Sequence, residues 1–359
     1  MVLKLGFAYG SLFDLITFSL SFRGQIFIFM EKKYAAVTAV GGYVPDKVLT
    51  NDEIAGYLDT SDEWITTRVG IKERRVLDIP GKGSGYMGIQ AVNEMKKHYG
   101  LTLDDVEIVV CSSNTPDYHF PSTASIIAKE VGIPDGVPCF DFQGACPGFL
   151  YGLQIARGFV ESGVYKKVLL VATEKMSAIT DKEDRATMPL FGDGAGCVIV
   201  EATTEQVGIL DVLLRNDNSG TENLIMKAGG SVNPPSHETV DAREHYVYQD
   251  GQKVFKAAVT QMGDASVEIM ERNGLTYKDI AWVVPHQANK RIISATARRM
   301  NLDASKVMVN IEKYGNTSSA TIPLCLWEWR DKLKKGDNLI LTAFGAGFTW
   351  GSIWLKWAI

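Results

Sequence analysis

Cysteine, histidine and asparagine side chains can together manage a thioester: the sulfur takes an acyl group, and two N–H donors steady an oxygen that becomes negative. Cys146, His286 and Asn316 are the three positions whose surroundings fit that work. Cys146 lies in Asp141-Phe142-Gln143-Gly144-Ala145-Cys146-Pro147-Gly148, where an apolar strand (Val137 to Phe142) gives way to small residues. A helical pattern then runs through Leu153, Ile155 and Ala156. That order places the sulfur near a helix N-terminus, where unpaired amide N–H groups and the dipole favour a thiolate. Gly144, Ala145 and Gly148 leave room for a substrate. Alone, the stretch suits a nucleophile and a small buried hydrophobe equally.

His286 follows a β-rich run that stops at Pro285, and a helix begins close to Asn289. The histidine therefore sits at a strand end, where α/β sheets gather ligands. Asn316 follows Gly315 and precedes another helical segment. Singly, these two also fit a hydrogen-bonded buried histidine and a turn or cap asparagine. Together with the cysteine they fit a site that binds a malonyl thioester, lets it lose CO2 and holds the enolate beside an acyl-cysteine. Asn suits that task better than Asp, whose carboxylate would repel an enolate. His98, His119, His237 and His245 lack a strand-end setting and receive no role.

The elements that must position these residues form a repeat. Leu101-Thr102-Leu103-Asp104-Asp105-Val106 before Cys111 is echoed by Leu275-Thr276-Tyr277-Lys278-Asp279-Ile280 before Pro285, and each copy follows a glycine (Gly100, Gly274). A second echo pairs the strand Val168 to Ala172, the glycine turn Phe191 to Gly196 and a strand from Cys197 to Val200 with Leu339 to Ala343, Phe344 to Gly347 and a strand from Ser352 to Trp357. Two similar α/β halves are expected, residues 30–203 carrying the cysteine and 204–359 carrying the histidine and asparagine, joined near Thr203 to Gln206. The insertion from Asn216 to Asp250, rich in Gly, Pro, Asn and Ser, is expected to cap a pocket.

The remaining features bound the function. Net charge is −5, which argues against general nucleic-acid binding, so any basic patch must be local. The five cysteines (Cys111, Cys139, Cys146, Cys197, Cys325) are widely spaced and show no zinc-ligand pattern. A reducing compartment, the cytoplasm, is expected, with no structural metal. Residues 1–29 are strongly apolar from Leu5 to Phe29, but Asp14 and Arg23 interrupt the run and no signal-peptide pattern accompanies it. They are expected to be an extension ahead of a natural start at Met30, not a membrane anchor.

Several long strings resemble β-ketoacyl-acyl-carrier-protein synthase III of the thiolase superfamily. They are Thr60 to Ile71 (TSDEWITTRVGI), Phe191 to Gly196, Pro285-His286-Gln287-Ala288-Asn289, Tyr314-Gly315-Asn316-Thr317-Ser318, and Phe344 to Gly351 (FGAGFTWG). The resemblance implies the duplicated thiolase fold, an α/β architecture layered α-β-α-β-α, and a homodimer. It implies an initiating condensing enzyme of fatty acid synthesis that needs no cofactor, with a short acyl-coenzyme A as substrate and malonyl-acyl-carrier protein as partner. Cys146 would be the nucleophile, with His286 and Asn316 assisting decarboxylation and condensation, and backbone N–H groups of Cys146 and Ala346 forming the oxyanion hole. Thr60, Trp64, Arg68, Arg185, Gly251 and Asn289 would hold coenzyme A. Phe120, reaching the partner subunit, Met188 and Leu190 would bound the acyl pocket. Lys256, Lys290, Arg291, Arg298 and Arg299 would dock the acidic carrier. Pro147 departs from the small residue usual after the nucleophile.

The runner-up is a related acyl-coenzyme A-primed ketosynthase of secondary metabolism. A degradative thiolase would need a second cysteine in the Phe344 to Gly351 turn. An elongating synthase would have a second histidine where Asn316 stands.

Overall fold

Long runs of small and β-branched apolar residues produce strands buried on both faces, and such strands need helices on each side. In the computed structural model, which describes residues 17–20, 26–29 and 32–359, this gives two sheets interleaved with helices. The first sheet comprises β1 (Tyr34–Tyr43), β2 (Ile108–Ser112), β3 (Cys139–Phe142), β4 (Lys167–Lys175) and β5 (Asp193–Thr203), in the spatial order β1-β5-β4-β2-β3. The second comprises β6 (Gly208–Asn216), β7 (Trp282–Pro285), β8 (Asn338–Gly345) and β9 (Thr349–Lys356), in the order β6-β9-β8-β7.

Orientations match as well as order. β5 runs antiparallel to both β1 and β4, and β2 lies parallel to β4; likewise β9 runs antiparallel to β6 and β8, and β7 lies parallel to β8. The counterpart of the edge strand β3 is reduced to one parallel bridge, Val283 with Val307. The first sheet is drawn from residues 34–203 and the second from 208–356, with Thr204 to Gln206 in the connection between them. Most of residues 1–29 lies outside the described residues, so the expected extension and start at Met30 are not addressed by the fold.

Three apolar layers hold the sheets. Helix α1 (Asp62–Val69) bears Trp64, while α2 (Ser84–Tyr99) and α3 (Thr123–Val131) cover the outer face of the first sheet. Helices α5 (Gly251–Arg272) and α6 (Lys290–Arg299) cover the outer face of the second. Between the sheets lie α4 (Gly148–Ser162) and α7 (Thr321–Trp329), whose Phe149, Leu150, Leu153, Ile322, Cys325 and Leu326 join one core with strands of both sheets. The result is the five-layered α-β-α-β-α arrangement.

One expectation fails locally. The string Phe191 to Gly196 does not form a turn, because Asp193 to Gly196 already belong to β5. A Cβ on Gly196 would lie 2.6 Å from Pro323 Cβ, and one on Gly194 would lie 3.0 Å from Leu324 Cδ1. These glycines let α7 press onto the strand instead of bending the chain. Gly42 on the neighbouring β1 does the same, since a Cβ there would stand 2.5 Å from the Trp327 ring. Gly42→Ala is expected to cost about 1–3 kcal/mol of stability by overpacking, read as a lower denaturant midpoint.

Candidate active site

Cys146 lies between the end of β3 and the start of α4. Ala145 adopts φ +49°, and the Gly148 N–H donates to the Ala145 carbonyl at 2.9 Å, so the chain reverses sharply and presents the sulfur. Pro147 stands at the helix N-cap with φ −71°, where a missing N–H costs the helix nothing. Gly345 is pressed against this turn: a Cβ on it would meet Pro147 Cδ at 2.7 Å and the Cys146 nitrogen at 2.8 Å. The next residue, Ala346, faces the same cavity without a left-handed φ, so a side chain is tolerated there.

His286 follows β7, and its N–H donates to Thr342 on β8 at 2.8 Å. The adjacent Gln287, fully buried, donates to the carbonyls of Pro285 and Met308 and accepts from the N–H groups of Asn310 and Ile311. That ties the segment leading toward Asn316 to the strand end bearing the histidine. Asn316 is itself fixed through backbone bonds to Leu190 (2.8 Å) and Gly192 (3.1 Å). Its Oδ1 accepts from the Ser318 N–H at 2.8 Å, so its NH2 group is the part left to face the cavity.

All three residues line one cavity of about 560 Å³, with mainly apolar walls. Segments of the insertion contribute to those walls through Leu224, Ile225, Met226 and Val247. Asn114, His119, Gln143 and Ser318 also line it, residues to which the sequence reading gave no role. His119 has no strand-end setting in the sequence, yet the loop beyond β2 delivers it to the cavity. Asn114 was detectable in principle, because β2 corresponds to β7 in the repeat and ends at the same edge of its sheet.

The electrostatics depart from expectation at the sulfur. Burial pushes the Cys146 thiol up to about 12, and nearby Glu174 pushes in the same direction. The Ser318 hydroxyl and the Cys146 backbone N–H pull the other way. The resting site therefore holds a thiol and not the thiolate expected from the helix N-terminus, because desolvation outweighs the dipole. Burial likewise pulls His286 down to about 3, so the imidazole is neutral. Its Nδ1 lies 2.7 Å from the Thr321 hydroxyl, which also stands 3.1 Å from the Ser318 carbonyl. The hydroxyl donates to that carbonyl or to the ring, and the ring can accept it only in the tautomer protonated at Nε2. Nε2 is buried and without a protein partner, and in that tautomer it is an N–H donor.

Toward solvent, Trp64 lines the cavity and Arg185 lies over its ring at 4.6 Å, with Arg68 at 5.7 Å. The Thr60 hydroxyl is buried without a partner. Gly251 and Asn289 line the cavity; Asn289 caps α6 and donates to the Arg68 carbonyl at 3.3 Å. Leu190 is in the cavity wall, whereas Met188 is buried away from it and Phe120 points outward, 87% exposed. Of the five basic positions, Lys290 pairs with Glu312 and Arg299 with Asp264. Arg291 lies over Phe255, and among the described residues Lys256, Arg291 and Arg298 have no carboxylate partner.

Among the described residues, no group of three or more His, Cys, Asp or Glu is arranged to hold a metal ion, and no helix is long and apolar enough to cross a membrane. Because the folded-state value of His286 lies below the unfolded one, acid favours the unfolded chain, which takes up a proton the folded chain refuses. Between about pH 7 and about pH 5, His286→Asn is expected to lose about 1–2 kcal/mol less stability than the native chain, as measured by denaturant titration.

Comparison with known proteins places this geometry. Residues 140–218 match the 3-oxoacyl-[acyl-carrier-protein] synthase III family, and residues 270–357 match the C-terminal family of the same synthases. A β-ketoacyl-[acyl-carrier-protein] synthase III of Porphyromonas gingivalis strain W83 is 58% identical over 329 residues, 92% of this chain and 98% of the relative. A synthase III of Bacteroides thetaiotaomicron is 55% identical over 328 residues, 91% of this chain and 98% of the relative. The crystal structure of 3-oxoacyl-[acyl-carrier-protein] synthase III from Aquifex aeolicus superposes with a TM-score of 0.82 at 39% identity, covering 90% of this chain and 100% of that one. The chain belongs to the 3-oxoacyl-[acyl-carrier-protein] synthase III family of thiolase-fold condensing enzymes.

Proposed function

We propose that this acyltransferase starts fatty acid chains: it takes a short acyl group from coenzyme A onto Cys146 and condenses it with malonyl-acyl-carrier protein. The observation that carries the reading is the meeting of the Cys146 sulfur, the neutral His286 imidazole and the Asn316 carboxamide in one cavity. In the first step Cys146 Sγ attacks the thioester carbonyl, the coenzyme A sulfur leaves, and the thiol proton passes to it. The negative oxygen formed on the way is held by the backbone N–H groups of Cys146 and Ala346.

In the second step the malonyl thioester carbonyl accepts from His286 Nε2–H and the Asn316 NH2. Its carboxylate leaves as CO2, and the electron pair of the broken bond forms an enolate that these two donors stabilise. Neutral donors suit this better than a charged pair would. A protonated histidine in so dry a site would be costly, and a carboxylate would oppose the enolate. The enolate carbon then attacks the acyl carbonyl, and the Cys146 thiolate leaves and takes up a proton.

Coenzyme A would enter past Trp64, with its adenine taking the place on that ring where Arg185 now lies and the guanidinium moving to the adenine's other face, its phosphates near Arg68, and its nucleotide near Thr60. Gly251 and Asn289 would flank the pantetheine. The carrier protein would dock on the exposed face of α5 and α6, where Lys256, Arg291 and Arg298 are the uncompensated charges. A cytoplasmic homodimer is supported by five free cysteines and by the half-buried edge strand β3. The groove beside it includes Phe140, Ile155, Phe159 and the 64% exposed Val164, which a second copy would cover. Phe120 would then reach the partner's acyl pocket.

Incubation with radiolabelled acetyl-coenzyme A is expected to label the native chain and leave Cys146→Ala unlabelled; label on that variant would refute the assignment. His286→Ala and Asn316→Ala are expected to retain labelling and to lose at least about 100-fold in condensation. Arg298→Glu is expected to raise KM for malonyl-acyl-carrier protein about tenfold, less at high salt, and Lys290→Ala to have a smaller effect because Glu312 already neutralises that lysine.

A further inference from the structure

One residue outside the three touches the sulfur and also holds a second member of the set. The Ser318 Oγ lies 3.9 Å from Cys146 Sγ. The same oxygen accepts from Asn114 Nδ2 at 3.1 Å, which leaves its own proton free to point at the sulfur. Asn114 is in turn held by the fully buried carboxylate of Glu174, through its Nδ2 at 2.8 Å and its backbone N–H at 3.0 Å. Glu174 also accepts from Thr115 (2.8 Å) and Ser319 (2.6 Å), so the carboxylate cannot rotate without breaking several bonds. Meanwhile the Ser318 N–H fixes Asn316 Oδ1.

The backbone shows that this placement is imposed. Ser318 has φ +51°, a left-handed conformation that residues with a Cβ adopt only when surrounding contacts hold them there. Of the four described residues other than glycine with positive φ, two are Ala145 and Ser318, on either side of the sulfur.

We propose that Ser318 is a positioning residue with two separable duties: its hydroxyl, oriented by Asn114 and Glu174, donates to the Cys146 sulfur as that sulfur becomes negative, and its backbone N–H aims the Asn316 carboxamide at the malonyl thioester. This rests on Cys146 being the nucleophile. The first duty belongs to acyl transfer and the second to decarboxylation. The direction of its influence agrees, since the Ser318 hydroxyl is the largest influence pulling the thiol down against burial.

The two duties separate by substitution. Ser318→Gly removes the hydroxyl but keeps the N–H and tolerates a positive φ. Ser318→Val removes the hydroxyl and resists that φ. Three rates are measured on the full chain: alkylation of Cys146 by iodoacetamide, acylation by acetyl-coenzyme A, and CO2 release from malonyl-acyl-carrier protein by pre-acylated enzyme. Ser318→Gly is expected to slow alkylation and acylation about tenfold while CO2 release stays within about twofold. Ser318→Val is expected to slow all three, with an unfolding midpoint confirming that it folds; if it does not fold, Ser318→Gly alone decides.

Alkylation of Ser318→Gly at the native rate, or an equal loss in acylation and CO2 release, overturns the proposal. Alkylation needs no acyl substrate, so such a result is distinct from acyl label appearing on Cys146→Ala, which would overturn the function itself.

Discussion

The site exists because two buried helices meet N-terminus to N-terminus with no side chain between them. A Cβ on Gly148, at the start of α4, would stand 3.2 Å from Ser319 Cβ just before α7, and 2.1 Å from Ser112 Oγ at the end of β2. Only glycine permits that approach. Cys146 precedes one helix, while Ser318 and Thr321 mark the start of the other, so the meeting of the ends sets the distance between sulfur and polar donors. Both helices bring their N-terminal, positive dipole ends to this meeting point, which suits chemistry whose intermediates are anionic.

Placing this meeting point between two sheets has a consequence for charge. Around the meeting point of α4 and α7, burial drives three titratable groups toward their neutral forms. Cys146 and Glu174 are pushed up, and His286 is pulled down. The ionised forms must therefore be made during the reaction, by donors already in position. That arrangement is expensive to assemble, since each donor has to be satisfied or aimed at folding time. Arg74 shows the same economy outside the cavity: fully buried, it spans the carbonyls of Leu49 and Pro189 and the side chain of Asn51. It thereby locks the loop carrying Leu190 to the segment ahead of the helix that bears Trp64.

Much of this was legible in the sequence, for reasons that differ by residue. Cys146, His286 and Asn316 stood out because each occupies a boundary between an apolar run and a helical pattern, and local order records boundaries well. The repeat was visible because buried strands have few acceptable compositions. The supporting polar set was not visible, since its pairings join residues far apart in sequence: Asn114 with Ser318 across 204 positions and Glu174 with Ser319 across 145. The glycines from Gly192 to Gly196 were misread as a turn for a similar reason. What Gly194 and Gly196 make room for is a helix contributed by the other half, and no local pattern announces it.

Thiol ionisation illustrates how a correct local rule loses to a global one. A cysteine at a helix N-terminus is favoured as thiolate when solvent still reaches it. Here the sulfur opens only onto an apolar cavity, and Glu174 adds a like charge behind it, so the dipole is outweighed. The same enclosure that suppresses the resting thiolate would, in the proposed reaction, also keep water from the acyl-cysteine and the enolate that follow. A more exposed cysteine would ionise readily and lose that protection. Reactivity is then best supplied by a donor that strengthens only as charge appears on sulfur, and the hydroxyl of Ser318 is the group placed to act in that way.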